Sequence, residues 1–267
     1  MKIILSLAVF LLAANFAQAD SHGTLKQAVN DKHRSAENKA RDKYRHPLQT
    51  LQFFNVKDDM AVVEISPGKG WYTEILAPYL KKHGKLYAAH FSPEIGAPYQ
   101  KKMRAEFIEK LKANPEKYDQ VEVTVLQPPE LLQIAPDNSV DRVLTFRNVH
   151  NWMSTGQAAA VFKAMHKALK PGGILGVVEH RNSNLKPQDV NAESGYVSED
   201  YVIALARNAG FEFLAKSEIN ANPKDKKDYP GGVWALPPSL KNAASDEKKY
   251  LAIGESDRMT IKFIKPE

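Results

Sequence analysis

The clearest indication of the fold class is the segment Ala61-Val-Val-Glu-Ile-Ser-Pro-Gly-Lys-Gly70-Trp-Tyr-Thr73. Its first five residues form an apolar run that predicts a buried strand, and a helical pattern begins at Trp71. Gly68 and Gly70 lie between the two. Glycines in such a turn let the backbone approach a ligand closely, and the first N–H groups of the following helix attract anions. The segment therefore predicts either a ligand-binding turn or a plain connection between a strand and a helix.

One feature of nicotinamide-dependent enzymes is missing from this turn. The dinucleotide fingerprint G-x-G-x-x-G needs a third glycine, and Thr73 stands at that position. A nicotinamide cofactor is therefore disfavoured.

Strand and helix patterns alternate along the rest of the chain. The predicted strands cover 61–65, 85–89, 121–126, 140–146, 174–178, 211–219 and 259–264, and the predicted helices cover 71–82, 99–112, 157–169 and 199–208. This alternation predicts an α/β fold, a mostly parallel sheet with helices on both faces. Ligands bind beyond the carboxyl ends of the strands in such a sheet. We expect functional residues just after Ile65, Ala89, Leu126, Phe146 and Val178.

Residues 1–19 are predicted to be a signal peptide. Lys2 is followed by an apolar run from Ile3 to Ala14, and Ala17-Gln18-Ala19 has the small-x-small pattern of a cleavage site. Cleavage after Ala19 would release a soluble periplasmic protein with no stable membrane anchor. Residues 20–56 are then expected to form an N-terminal helical segment, with a peripheral helix that ends at His46, and residues 57–267 to form the main domain.

The composition is that of a globular protein. Of the 267 residues, 43% are hydrophobic and 25% are charged, and there is no cysteine. These values exclude a disulfide scaffold and a wholly disordered chain. The 37 Lys+Arg and 31 Asp+Glu residues give a net charge of +6. The two signs are interspersed along the chain, so no nucleic-acid partner is expected.

Several segments, taken in order, make the chain resemble the class I S-adenosylmethionine-dependent methyltransferases. Val62 to Gly70 is similar to the first motif of that family, an acid followed by a glycine-rich turn. Gly84 to Glu94 is similar to the second strand of the family, and Pro136 to Val143 to the approach to its fourth strand. Leu169 to Leu175 is similar to the entry to the fifth strand, and Arg258 to Ile264 to the final strand. The whole chain most resembles the exported, predicted methyltransferases of bacteria, through Arg45-His-Pro47 and Phe146-Arg-Asn-Val-His-Asn-Trp152.

This resemblance implies a Rossmann-like sheet of seven strands, the last of them antiparallel, within a methyltransferase-like domain at 57–267. It also implies that S-adenosylmethionine is the cofactor and that the substrate is a small molecule or a component of the cell envelope. The residues expected to bind the cofactor are Glu64, Ser66, Pro67, Gly68, Gly70, His90, Gln127 and Arg147.

Three positions depart from the pattern of this family. Ser66 replaces the first glycine of the turn, which is acceptable where the backbone has ordinary dihedral angles. His90 stands in place of an acid that accepts hydrogen bonds from both ribose hydroxyls, and neutral histidine has only one acceptor nitrogen. Gln127, with Glu130 nearby, replaces the acid that contacts the adenine. The loss of a carboxylate acceptor would weaken binding by roughly 1.5–3 kcal/mol.

Three histidines follow strands of the predicted sheet: His90, His150 and His180. If the strand ends are placed correctly, all three side chains line one crevice. His150 is the predicted general base, because the pKa of an unperturbed histidine is near 6.5. The residues predicted to contact the substrate are Asn148, Asn151, Trp152 and His180.

Other interpretations of these side chains remain open. His90 and His180 could be turn residues bonded to the backbone, and Trp152 could belong to the core. Two or three histidines could bind a metal, but no H-E-x-x-H pair is present, so no metal ligand is assigned. Arg45 could pair with the cofactor carboxylate or lie at the surface. Trp234 and Pro237-Pro238 could form a lid or only anchor their loop.

Two further functions are therefore carried forward. The first is a non-catalytic periplasmic ligand-binding protein on a methyltransferase fold. The second is a metal-dependent enzyme that uses the histidines at the strand ends. The sequence does not indicate an oligomeric state.

Overall fold

The computed structural model describes residues 25–185, 187–241 and 246–267. The predicted signal peptide, 1–19, lies outside the described residues. No helix in the described ranges is long and apolar enough to cross a membrane.

A seven-stranded sheet forms the centre of the domain, in the order β3-β2-β1-β4-β5-β7-β6. Strands β1 to β5 pair in parallel, and β7 runs antiparallel to both of its neighbours, β5 and β6. The predicted Rossmann-like class I methyltransferase sheet is thereby confirmed. The strands are Ala61–Ile65 (β1), Lys85–His90 (β2), Val121–Val125 (β3), Val140–Phe146 (β4), Leu169–His180 (β5), Glu212–Ser217 (β6) and Arg258–Ile264 (β7).

Helices connect these strands and cover the sheet. Residues 25–30 are helical, and Gly232–Ala235 forms a single 3₁₀ turn. The other described helices are Ala36–Ala40, Asp42–Arg45, Pro47–Phe53, Thr73–Leu80, Pro98–Ala113, Pro115–Tyr118, Val149–Ser154, Ala158–Ala168, Glu199–Asn208 and Glu247–Ile253.

Alternate residues of the central strands build one hydrophobic core on each face of the sheet. In β4, Val143 belongs to the first core, with the helices Ala158–Ala168 and Glu199–Asn208. Its neighbour Leu144 belongs to the second core, on the opposite face. This alternation follows from the two-residue period of a strand. Each fully buried side chain of this kind stabilises the fold by about 1.5–3 kcal/mol.

The N-terminal segment differs from its prediction. The expected single peripheral helix is divided into short helices, and Pro47 begins a further helix at its first position instead of only ending one. His46 has a φ of 40° and turns the chain between the two. Leu51 and Phe54 are fully buried in the second core, so the segment is part of the domain. A thin apolar stripe does not reveal this packing, because the buried residues belong to several short helices.

Two connections contain more structure than the sequence predicts. The fifth strand, predicted at 174–178, covers Leu169–His180, and its pairing with β4 shifts register between Val140 and Arg142. The connection 220–257, for which the sequence predicts no element, contains the 3₁₀ turn and the helix Glu247–Ile253. Its position decides the shape of the site.

Candidate functional site

A large cavity lies at the carboxyl ends of β1 and β4. The chain leaves β1 toward β2 on one side and returns as β4 on the other, so the crevice forms where the strand order reverses. The cavity has a volume of about 960 Å³, enough for a cofactor together with a small substrate. The N-terminal segment and the connection 220–257 complete its walls.

The turn after β1 has a left-handed backbone at three positions. The φ angles are 46° at Ser66, 61° at Gly68 and 79° at Gly70. The condition under which a serine would be acceptable there, ordinary dihedral angles, is therefore not met. Its N–H donates to the carbonyl of Ala89 at 2.8 Å, which ties the strained residue to β2. A non-glycine residue held in this region costs about 1–3 kcal/mol and marks the turn as a constrained part of the site.

Gly70 is fixed by its surroundings as well as by its backbone. A Cβ atom there would lie 3.1 Å from the ring of Phe107 and 3.3 Å from the Cβ of Thr73. We expect Gly70→Ala to lower the free energy of unfolding by about 2–3 kcal/mol, through both dihedral strain and crowding. Gly156→Ala is the matched control, because Gly156 has a φ of 69° with no atom near the added carbon. Urea denaturation of both variants checks the prediction. An equal loss of unfolding free energy in the two would show that contacts of the added Cβ atom do not contribute.

Glu64 is a buried carboxyl group on the wall of the cavity. It is 2% exposed, and it accepts a hydrogen bond of 2.6 Å from the hydroxyl of Thr73. Burial raises its pKa to about 7, against the lowering effects of Thr73 and Lys110. A carboxyl group that is buried beside a glycine turn, with its pKa raised in this way, is typical of a binding site.

His90 does not line the cavity. It is fully buried, its Nε2 lies 3.0 Å from the carbonyl of Gly68, and its Nδ1 accepts from the N–H of Phe91 at 2.8 Å. Burial lowers its pKa to about 4, so the ring is neutral and donates through Nε2. His90 thus links β2 to the glycine turn, and the structure brings together only two of the three histidines.

Gln127 does line the cavity, after the end of β3. Its Oε1 accepts from the N–H of Ser92 at 3.3 Å, and its Nε2 lies 3.5 Å from the side-chain oxygen of Gln100. Side-chain amides therefore occupy the part of the site where the family resemblance implies acids.

His150 is oriented by a buried carboxylate. Its Nδ1 lies 3.0 Å from Glu179 Oε1, and Glu179 also accepts from the N–H groups of Val149 at 2.6 Å and His180 at 2.7 Å. A carboxylate only accepts hydrogen bonds, so Nδ1 of His150 is the donor to Glu179. In the neutral ring this leaves Nε2 as an acceptor, which is what a general base requires.

His180 lies beside His150, with ring centroids 5.3 Å apart. Its Nδ1 is 2.5 Å from the hydroxyl of Ser256. Burial, then His150 and nearby arginines, lowers the pKa of His180 well below 6.5, so this ring is neutral at pH 7.

His150, Glu179 and His180 are the one group of metal-ligating residue types found among the described residues. The Glu179 oxygens and both Nδ1 atoms already have hydrogen-bond partners, which leaves two ring nitrogens. A catalytic zinc site uses three protein ligands. The arrangement therefore fits proton transfer better than metal binding.

Four arginines surround one buried carboxylate at the same end of the cavity. We call Arg41, Arg45, Arg147 and Arg258 the arginine cluster. Glu255 pairs with Arg41 at 2.6 Å, with Arg45 at 3.4 Å, and with Arg258. Burial by itself raises the pKa of Glu255. The positive charges of Arg258, Arg45 and Arg41 outweigh this effect and lower the pKa to about 2.

The remaining predicted residues take different places. Arg147, Ser66, Pro67 and Gly68 line the cavity, whereas Gly70 does not. Asn148, Asn151 and Trp152 also line it, but Asn148 donates to the carbonyl of Ile65 at 3.1 Å, and Trp152 packs in the first core as well. Trp234, Pro237 and Pro238 form part of the wall, and the Trp234 ring lies 6.0 Å from His150.

Sequence reasoning missed Arg41, Glu255 and Arg258. One signal could have found Arg258. An antiparallel last strand begins at the edge where its parallel neighbour ends, and Arg258 is paired with His180 at that edge. No sequence pattern indicates Arg41 or Glu255, because both reach the site through tertiary packing.

The residues present fit S-adenosylmethionine. The cavity has the required size, the glycine turn exposes backbone at one wall, and Glu64 provides an acid there for a cationic group. At the ribose and adenine end, the amides of Gln100 and Gln127 take the place of carboxylates.

Comparisons with known proteins agree with the fold. Residues 63–177 match the sequence profile of a family described as a methyltransferase domain. The chain has a class I methyltransferase fold. The methyltransferase-domain family uses S-adenosylmethionine. No curated protein matches the chain by sequence.

Solved structures with this fold differ widely in sequence. A SAM-dependent methyltransferase from Aquifex aeolicus is 17% identical, with 91% of this chain and 98% of that chain covered and a TM-score of 0.57. The phosphoethanolamine N-methyltransferase 2 of Haemonchus contortus, in complex with S-adenosyl-L-methionine, is 16% identical, covers 84% of this chain and 53% of its own, and has a TM-score of 0.54.

One solved structure with this methyltransferase fold is named for another reaction. The [4+2]-cyclase SpnF is 16% identical, with 94% of each chain covered and a TM-score of 0.57. The fold alone therefore does not establish methyl transfer, and the function has to be inferred from the residues of the site.

Proposed function

We propose that this protein is an S-adenosylmethionine-dependent methyltransferase. The observation that carries the proposal is the His150–Glu179 pair, which opens onto the same cavity as the glycine turn and Glu64. The bound cofactor would supply an activated methyl group. A base in the same cavity is needed only when the acceptor must lose a proton, and His150 is such a base.

The protein residues have separate tasks in this proposal. The glycine turn and Glu64 bind the cofactor, and the buried walls hold the acceptor in line, which accounts for most of the rate in such transfers. His150 Nε2 takes a proton from the acceptor hydroxyl or amine, and Glu179 stabilises the resulting imidazolium through Nδ1. Trp234 and the two prolines beyond it exclude water from one side.

A labelled-methyl assay tests the proposal. The purified protein is incubated with S-adenosylmethionine carrying a radioactive methyl group and with small-molecule and envelope extracts of a bacterial culture. Label transferred to a discrete product supports the proposal. Absence of any labelled product, together with absence of cofactor binding, would overturn it.

We expect His150→Gln to lower the rate of methyl transfer by about 10²- to 10⁴-fold, because the acceptor loses its base. The affinity for S-adenosylhomocysteine should stay within about twofold of the wild type, since His150 contacts the acceptor side of the cavity. His83→Gln is the matched control, because His83 is exposed and precedes β2, at the edge of the sheet opposite the carboxyl ends of the strands. A rate in His150→Gln equal to that of the control would remove His150 from the mechanism.

We also propose that the protein belongs to the exported type, acts in the periplasm after cleavage behind Ala19, and takes a small-molecule or envelope substrate. The sequence of residues 1–19 supports this. Mass spectrometry of the protein from a periplasmic fraction tests it. A mature N-terminus at Asp20 is expected, and an uncleaved cytoplasmic chain would contradict it.

A further inference from the structure

The arginine cluster carries more positive charge than the surrounding protein neutralises. Its four guanidinium groups face one carboxylate, Glu255, which leaves three positive charges in excess at this end of the cavity. Burial, then the neighbouring Arg258, lowers the pKa of Arg147 to about 10, so Arg147 is still charged at neutral pH. Uncompensated charges of one sign in a partly buried site are destabilising unless a ligand offsets them.

Several donors of the cluster have no partner. Arg41 Nη2 and Arg258 Nε are buried and have no hydrogen-bond partner among the described residues. The guanidinium of Arg147 forms no hydrogen bond or ion pair with any described residue, yet it lines the cavity. Buried polar groups in folded proteins are nearly always bonded, so these donors indicate an anionic ligand.

The backbone of Arg147 is also held in an unusual conformation. It follows β4 directly with a φ of 63°, and its N–H donates to the carbonyl of Val178 at 2.7 Å. A non-glycine residue in this conformation lowers stability, and such strain is typical of functional sites. Here it accompanies a side chain that lines the cavity.

The cofactor does not account for the cluster. S-adenosylmethionine has one carboxylate but also an ammonium and a sulfonium, so its net charge is positive. Among the described acids that line the cavity, Glu255 is the one that pairs with the cluster. Glu64 precedes the glycine turn and accepts a hydrogen bond from Thr73, and Glu37, four residues before Arg41, forms no ion pair with any described residue. The other two are paired with lysines, at 2.6 Å for Glu74–Lys110 and 3.2 Å for Glu106–Lys69. One carboxylate therefore balances four arginines, and the cluster keeps positive charge for a second, anionic ligand.

We propose that the arginine cluster binds a dianionic group of the methyl acceptor, a phosphate monoester or a dicarboxylate. This inference rests on the proposed function. Arg147 offers the unpaired planar fork that binds such oxygens with two parallel hydrogen bonds. Arg258 is the β7 residue paired with His180 of β5, and Arg147, Arg258 and Arg45 each lower the pKa of His180. A bound anion would therefore lie next to the His150–His180 pair. The acceptor is then a small polar molecule with its nucleophilic atom a short distance from its anionic group.

Calorimetric titration at constant ionic strength tests the inference, with inorganic phosphate, succinate and acetate as probes. We expect a dianion to bind at millimolar concentration or below, and acetate to bind about tenfold more weakly. Tighter binding of phosphate indicates a phosphate monoester, and tighter binding of succinate indicates a dicarboxylate. No binding of either dianion at millimolar concentration would overturn the inference.

Two variants and a control locate the anion. Arg147→Gln should weaken dianion binding by about tenfold or more, and Arg147→Lys by less, because lysine keeps the charge and loses the fork. Arg207→Gln, which removes an exposed arginine from the helix Glu199–Asn208, should change it by less than about twofold. Equal weakening by Arg147→Gln and Arg207→Gln would mean a general charge effect and would refute the site. If Arg147→Gln does not fold, the comparison is made between Arg147→Lys and Arg207→Gln. Equal dianion binding in these two variants would refute the site.

Repeating the titration with saturating S-adenosylhomocysteine separates this inference from the proposed function. Undiminished dianion binding in its presence supports an acceptor site. Mutual exclusion would mean that the cluster binds the cofactor carboxylate, which overturns the inference. Dianion binding that depends on Arg147, with no binding of S-adenosylhomocysteine, would uphold the anion site and refute the methyltransferase proposal.

Discussion

Glu255→Gln is expected to lower the free energy of unfolding by about 3–5 kcal/mol near neutral pH, because it leaves buried arginines without their counter-ion. Glu255 is 2% exposed and is the shared partner of Arg41, Arg45 and Arg258. For a domain of this size the loss corresponds to a fall in Tm of roughly 6–20 °C. Thermal and urea denaturation measure it.

The effect of this substitution should depend on pH. The pKa of Glu255 is lowered to about 2 in the folded state, from an ordinary 4.5. Its stabilising contribution is therefore complete above pH 4.5 and is lost as the pH falls from there toward 2. The difference between the wild type and Glu255→Gln should shrink over that interval.

The matched control is Glu218→Gln. Glu218 also pairs with an arginine, Arg181, at 2.8 Å, but its side chain is 63% exposed. An exposed ion pair contributes about 0–1 kcal/mol, so the control should lose little. A loss in Glu255→Gln no larger than in this control would show that the arginine cluster is not held by Glu255.

Glu64→Gln is expected to have the opposite effect and to raise the free energy of unfolding by about 3 kcal/mol above pH 7. Burial raises the pKa of Glu64 from 4.5 to about 7, and at 1.4 kcal/mol per pH unit the charged form is disfavoured by that amount. The glutamine can still accept the hydrogen bond from Thr73. Urea denaturation between pH 4 and pH 9 measures the change.

The pH dependence distinguishes this cause from improved packing. A carboxyl group with a raised pKa imposes no penalty below pH 4.5, a growing one as the pH rises to 7, and a constant one above. The gain in Glu64→Gln should follow the same course. Glu212→Gln, which removes an exposed carboxyl group on β6, should change stability by less than about 0.5 kcal/mol at every pH. A gain of equal size at pH 4 and pH 8 would contradict the account.

The sheet could be predicted from the sequence because its signals are local. The buried runs at 61–65 and 140–146 coincide with β1 and β4, and the glycine turn and His150 fall at the carboxyl ends where parallel strands place a site. A two-residue period and a strand end are properties of a few consecutive residues, so neither depends on distant packing.

The rest of the site depends on contacts between distant segments. His90 turns to the carbonyl of Gly68, 22 residues earlier, and so does not line the cavity. Glu255 and Arg41 meet across 214 residues and carry no motif of their own. Ser66 has a left-handed backbone with its N–H bonded to Ala89 of β2, although propensity favours another conformation. Such positions are set by the tertiary structure, and strain of this kind concentrates at functional sites.

Calorimetric titration of the purified protein with S-adenosylmethionine and S-adenosylhomocysteine tests whether the cavity binds this cofactor. We expect one site with micromolar affinity for both, weakened by about tenfold or more in Glu64→Gln and unchanged in Glu212→Gln. Such a result would show that the amides of Gln100 and Gln127 can replace the usual acids. No binding of either compound at millimolar concentration would contradict the assignment and would mean that the cavity serves another ligand.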